Sequence, residues 1–245
     1  MLSTLDALVL AGALAGGFVS GLTGFGTGMT ALPFWLFAVT PVVAAPLVVV
    51  CSLIAQVQTL PAIWHAIDFR RATPFIAGGL LGVPAGTLLL PYVSVVAFRL
   101  AFGALLVVYC SFLLVGQLRF QLRWGGRIAD AVVGLGGGVL GGLAGLSGPL
   151  PTLWAGLRGW DKDARRGVFQ AFNFSILTFA LVSQTVAGLM TAELGRLVLI
   201  ALPGTLAGAW LGRRVYSRLD TVKFDKVVLL LLLISGAALL ASGVT

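Results

Sequence analysis

Two short stretches carry the hydroxyls and free amides from which a binding site can be built. One is Gly145-Leu146-Ser147-Gly148-Pro149-Leu150-Pro151, where Ser147, Gly148 and Pro149 interrupt a long apolar run. The other is Gly24-Phe25-Gly26-Thr27-Gly28, where Gly26 and Thr27 do the same. A hydroxyl at such a break can donate to an oxyanion, or it can cap the adjoining helix end. Further polar residues sit deep in apolar segments. Ser52, Gln56 and Thr59 are spaced i, i+4, i+7 and share a helix face, as do Gln170, Asn173 and Gln184. Polar side chains at such depth line a wet path or bond helix to helix. Both readings stay open for these six, with Ser52 and Asn173 the foremost candidates for a path.

Other chemistries find little support. The eight acids all fall at segment ends or in loops. The sequence shows no metal-ligand cluster, no nucleophile–base pair and no phosphate-cradling loop, which argues against an enzyme, a metal site or a cofactor. His65 is the single histidine, near a helix end and close to Asp68. It is the candidate proton site, against the plainer reading of an interfacial residue. Coupling to H+ or Na+ is left open. Arg165 and Arg166 are candidates for attracting anions at a cytoplasmic mouth, against a role as topology determinants.

The elements that hold these residues are membrane helices. The 245 residues are 59% hydrophobic and 10% charged, and apolar stretches of about 20 residues recur throughout. The net charge of +8 reads as cytoplasmic loop cations rather than a nucleic-acid surface. Cys51 and Cys110 lie inside apolar segments and read as packing residues. Trp35, Trp64, Trp124, Trp160 and Tyr216 read as interfacial belt residues. The first segment lacks a basic leader and reads as a retained helix.

Taken in order, an apolar segment over 5–23 breaks at Gly24–Gly28 and resumes to about residue 39. Helices follow over 43–67, 73–91 and 95–116. The pattern restarts at 128–146, breaks at Ser147–Pro149 and continues to about 157. Helices then cover 167–190, 194–212 and 227–243, after a charged loop at Arg158–Arg166. The halves match residue by residue. Gly21, Leu22 and Gly24 fall on Gly142, Leu143 and Gly145 at a shift of 121, and Gly82 and Gly86 fall on Gly208 and Gly212 at a shift of 126. The repeats are therefore 1–117 and 128–245, joined by a cytoplasmic loop over 118–127.

If each broken segment crosses once, the basic loops divide between the two sides. If each enters and returns, 14 of the 16 cations share one side, as the positive-inside rule requires. The second arrangement is the expectation. It gives an all-α polytopic membrane protein of two inverted repeats, each a re-entrant hairpin followed by three transmembrane helices. Both termini then lie outside, and the basic loops are cytoplasmic. Two hairpins entering from opposite faces meet near the midplane, where free helix N-termini favour an anion.

The residues quoted for the two breaks also resemble a known family. Gly145-Leu146-Ser147-Gly148-Pro149, followed by Leu157-Arg158-Gly159-Trp160-Asp161-Lys162 and Arg166, is similar to the second-half signature of the TauE/SafE family of sulfite-exporter-like proteins. Gly21-Leu22-Thr23-Gly24-Phe25-Gly26 with Pro33 resembles its first-half signature. Thr27 departs from that family's glycine triplet, and Leu150 separates two prolines that are usually adjacent. The resemblance implies an inner-membrane transporter, an exporter of sulfite, organosulfonates or related small anions. The substrate-binding set expected from the sequence is Gly26, Thr27, Ser52, Gln56, Ser147, Gly148, Pro149, Gln170 and Asn173. The expected partners are the anion and the lipid bilayer, with a homodimer compatible and no nucleic acid. A passive anion channel and a non-transporting scaffold are the alternatives.

Overall fold

Glycine and proline decide where the helices of this chain stop. In the computed structural model, which describes residues 4–60, 67–115, 125–160, 162–216, 233–234, 236–237 and 239–241, helix α1 (Thr4–Thr23) ends at Gly24, whose φ is +83°. Side chains at 113–115, 156, 162–166 and 216 fall outside that description. A second left-handed glycine, Gly26 (φ +98°), precedes α2 (Thr27–Ala38). The helices α3 (Pro41–Thr59), α4 (Phe69–Leu89) and α5 (Val95–Val115) follow, with a 3₁₀ turn at Leu90–Tyr92. The second half repeats the order with α6 (Gly126–Ala144), α7 (Pro149–Leu157), α8 (Lys162–Val186) and α9 (Ala192–Tyr216). Helix α6 ends at Gly145 (φ +67°), whose N–H bonds Gly141 O, while Leu146 N–H reaches Leu140 O. Only glycine takes these left-handed positions without a Cβ penalty.

Seven described helices, α1, α3, α4, α5, α6, α8 and α9, are long and apolar enough to cross a membrane. The chain is a multi-pass helical membrane protein. By contrast α2 and α7, at 12 and 9 residues, reach only about 18 and 14 Å at 1.5 Å per residue. They turn back on the helices before them. A Cβ at Gly12 would meet Trp35, and one at Gly16 would meet Ala31 and the Thr27 carbonyl. The numbers fall on one side as they rise on the other, so α1 and α2 are antiparallel. In the second hairpin, Gly136 faces Leu150 and Asp130 bonds both Trp154 and Arg158. Each break is thus a hairpin turn.

The long helices pair across the halves, α1 with α9 and α4 with α6. Glycines let the backbones approach closely. A Cβ at Gly208 would strike the Leu14 carbonyl, and one at Gly212 the Phe18 carbonyl. In the other pair, Gly82 meets Leu135 and Gly86 meets Val139. The two interfaces correspond under the shifts already noted: Gly208, Gly212, Leu14 and Phe18 map onto Gly82, Gly86, Leu135 and Val139. In both interfaces the numbers rise together, so the paired helices run parallel.

Two ends of the bundle are chemically distinct. At one end Arg213 Nη1 donates to Gln58 O (3.2 Å), at the close of α9 and α3. At the starts of α4 and α6 and the close of α7, Arg71 and Arg158 both lie over the Trp160 ring at 5.5 Å. At the other end Arg196 pairs with Asp6 (3.1 Å), and the Arg99 guanidinium reaches Leu36 O, where α2 closes.

Some boundaries and roles differ from expectation. Lys162–Arg166 open α8 rather than forming a loop, because nothing after Gly159 breaks a helix there. Trp35 is fully buried, not interfacial: its indole N–H donates to Val9 O at 3.0 Å, tying α2 to α1. An indole can satisfy its one donor on a backbone carbonyl and then bury the whole ring. Cys51 and Cys110 are free and buried, as packing residues. Trp64, Trp124, the connecting loop at 118–124 and the segment 217–232 lie outside the described residues.

Candidate functional site

The two hairpin turns meet. A Cβ at Gly28 would come 2.9 Å from Leu146 Cδ2 and 3.4 Å from Gly145 O, and one at Gly148 would come 2.9 Å from Phe25 Cδ2. Between the turns lies a small cavity, open on one side. Gly26, Thr27, Ser147, Gly148 and Pro149 line it from the turns. Ser52 and Gln56 line it from α3, and Asn173 from α8. Phe25, Met29, Leu146 and Leu177 supply apolar walls. Eight of the nine expected residues therefore share one cavity, and no lining residue is charged.

The polar side chains of the cavity are buried. Thr27, Gln56, Ser147 and Asn173 are each 2% exposed and Ser52 is 4% exposed. Ser147 Oγ donates to Asn173 Oδ1 at 2.8 Å, which fixes the amide of α8 against the second turn. Thr27 Oγ1 and Gln56 Oε1 have no hydrogen-bond partner among the described residues. Such buried polar atoms cost free energy unless something else meets them.

The two short helices differ at their N-termini. In α2 the first amide with a helical partner is Thr30 N–H, on Gly26 O at 3.1 Å. Thr27, Gly28 and Met29 N–H thus have no helical acceptor, and no side chain caps the end. In α7 the corresponding first bond runs from Thr152 N–H to Gly148 O. Pro149 and Pro151 have no N–H, so Leu150 alone offers one in that first turn. The α2 terminus is the richer donor, and the helix dipole there favours negative charge. Thr23 holds this turn in shape: its hydroxyl donates to Phe25 O at 2.5 Å and accepts from Phe25 N–H at 3.3 Å.

Gln170 is the one expected site residue outside the cavity lining. It lies a turn before Asn173 on α8, and its Nε2 donates to Thr59 Oγ1 at 2.9 Å. Gln184, on the same face, donates to Gly142 O at 3.0 Å and so bonds α8 to α6. His65 lies outside the described residues, as do the side chains of Arg165 and Arg166; the backbone of those two arginines is in the first turns of α8.

Sequence reasoning missed the anchor of the second hairpin. Asp130, 6% exposed, accepts from Trp154 Nε1 at 2.7 Å and pairs with Arg158 at 2.8 Å. The signal was present, since a buried acid inside an apolar helix requires a partner. The apolar wall residues carried no such signal, being apolar among many.

These features define a class: a multi-pass helical membrane protein in which two hairpins double back and enclose a buried polar cavity between their turns. Within that class the chain belongs to the sulfite exporter TauE/SafE family, whose family model matches residues 8–239. No curated protein and no solved structure matches the chain.

Proposed function

We propose that the chain is a secondary transporter that exports small anions such as sulfite or organosulfonates across the cell's inner membrane. The observation that carries this reading is the convergence of both hairpin turns on one cavity lined by Thr27, Ser147 and Asn173. The anion sits there with its negative end toward the α2 N-terminus, held by backbone amides and neutral donors. Family membership supports the substrate class.

Alternating access follows from inverted halves rocking about the site. Parallel pairing of α1 with α9 and of α4 with α6 supports inversion. Three spans, α3, α4 and α5, separate the first hairpin from the second, so α6 starts on the side opposite to α1. The end that gathers Arg71, Arg158 and Arg213 is cytoplasmic by the positive-inside rule, and both termini are outside. Gly26, Ser52, Gln56, Gly148 and Pro149 complete the binding site, the bilayer is the surrounding partner, and no catalytic step is assigned.

Proteoliposomes loaded with sulfite test this reading. Saturable efflux with counterflow is expected, and runs with and without sodium or a pH gradient identify the coupling ion. Linear flux without counterflow marks a channel instead. No movement of sulfite, thiosulfate, any sulfonate or any carboxylate leaves only a scaffold.

A further inference from the structure

The contact that joins Gln170 to Thr59 lies where a gate has to be. Thr59 is three residues beyond Gln56 on α3, and Gln170 is three residues before Asn173 on α8. Gln56 and Asn173 line the cavity. Helix α3 runs from the cavity toward the basic end of the bundle, where Gln58 O accepts from Arg213. Helix α8 starts just after Trp160, the ring shared by Arg71 and Arg158 at that same end. The pair therefore stands one turn from the cavity on its basic side.

Three elements meet at this pair. Gln170 is 1% exposed and Thr59 2%. A Cβ on Gly24, in the first hairpin turn, would lie 3.1 Å from Gln170 Nε2. The amide thus covers the turn while bonding α3 to α8. The bond is the only side-chain hydrogen bond between α3 and α8 among the described residues. Gln170 Oε1 has no partner among the described residues, so among them a single bond holds the amide in place. One neutral hydrogen bond is weak enough to exchange during turnover.

We propose that the Gln170–Thr59 hydrogen bond closes the cavity toward the basic end and breaks when the site opens to that side. Gln170 is then a gating residue and not an anion ligand. The inference rests on the transport reading for what passes the gate. Its own test needs no transport.

The test is labelling of a reporter cysteine by a membrane-impermeant thiol reagent. Ser52→Cys is placed in a Cys51→Ala, Cys110→Ala background, and vesicles of both orientations are compared. Gln170→Ala and Thr59→Val are each expected to speed labelling from the basic end roughly three- to tenfold. Labelling from the other end stays unchanged, and the double variant is no faster than either single one, because both remove one bond. Thr59→Ser, which keeps the hydroxyl, labels like the parent and controls for folding. Unchanged rates, equal acceleration from both ends, or additive effects overturn the gate. A closed gate in a protein that moves no anion would sink the transport reading alone.

Discussion

Asn173→Asp is the sharpest test of an anion site at the hairpin turns. Asn173 lines the cavity at 2% exposure, and its Oδ1 accepts from Ser147 Oγ at 2.8 Å. Aspartate has the same shape and keeps that oxygen, so the Ser147 bond survives and becomes charge-assisted. What changes is the amide nitrogen, which lies 3.4 Å from the position a Cβ would take on Gly148 and so faces the second turn. A carboxylate oxygen replaces that donor. At about 4 Å from a bound monoanion, with an effective dielectric of about 20, the repulsion is about 4 kcal/mol. That is roughly a thousandfold loss of affinity. The assay is sulfite binding by calorimetry on detergent-purified protein, with efflux from proteoliposomes alongside. Asn173→Ala serves as the reference, since it removes the donor without adding charge; it leaves the hydroxyl of Ser147 unpaired and is expected to cost about 1–3 kcal/mol of stability. If Asn173→Asp binds sulfite within tenfold of the parent and melts at the parent temperature, Asn173 does not face the anion and the site is wrong.

Other consequences follow from the packing. Gly82→Ala and Gly208→Ala place a methyl against the Leu135 and Leu14 carbonyls; each is expected to destabilise by about 1–3 kcal/mol, and by similar amounts, because the positions correspond. Thermal melting monitored by size-exclusion chromatography checks this, and a drop for only one of the two would break the correspondence. Trp35→Phe removes the indole bond to Val9 O, a carbonyl that keeps its partner within α1, so a loss of about 0.5–1.5 kcal/mol is expected in the same assay. Finally, cysteines introduced at Gly159 and Thr245 are expected to label from opposite sides of the membrane. Labelling in one compartment would remove the inversion of the halves.

Much of the fold was readable because its determinants are local. Gly24, Gly26 and Gly145 need a backbone region that other residues avoid, so they mark helix ends wherever they stand. The number of apolar stretches and their lengths follow from the span of a bilayer. The candidate site was readable for a related reason. Thr27, Ser52, Gln56, Ser147 and Asn173 are polar groups in apolar surroundings, and such groups seek each other or a wet cavity. Where the reading failed, the cause was contact rather than composition. Trp35 fits an interfacial belt by residue type, yet its indole found a carbonyl one helix away. The bond from Gln170 to Thr59, 111 positions earlier, is likewise a contact that spacing along α8 does not reveal.

By itself the chain dictated the helices, the two turns, the repeat and the concentration of cations in a few loops, since each depends on neighbours within a few residues or on the bilayer as solvent. Tertiary packing alone decided that α1 lies on α9 and α4 on α6, and which polar side chain faces the cavity instead of a neighbouring helix. In a membrane protein the outside is as apolar as the core, so hydropathy cannot say which face of a helix is turned inward. Only the close approach of backbones at glycine, and the pairing of the few polar groups, settle that choice.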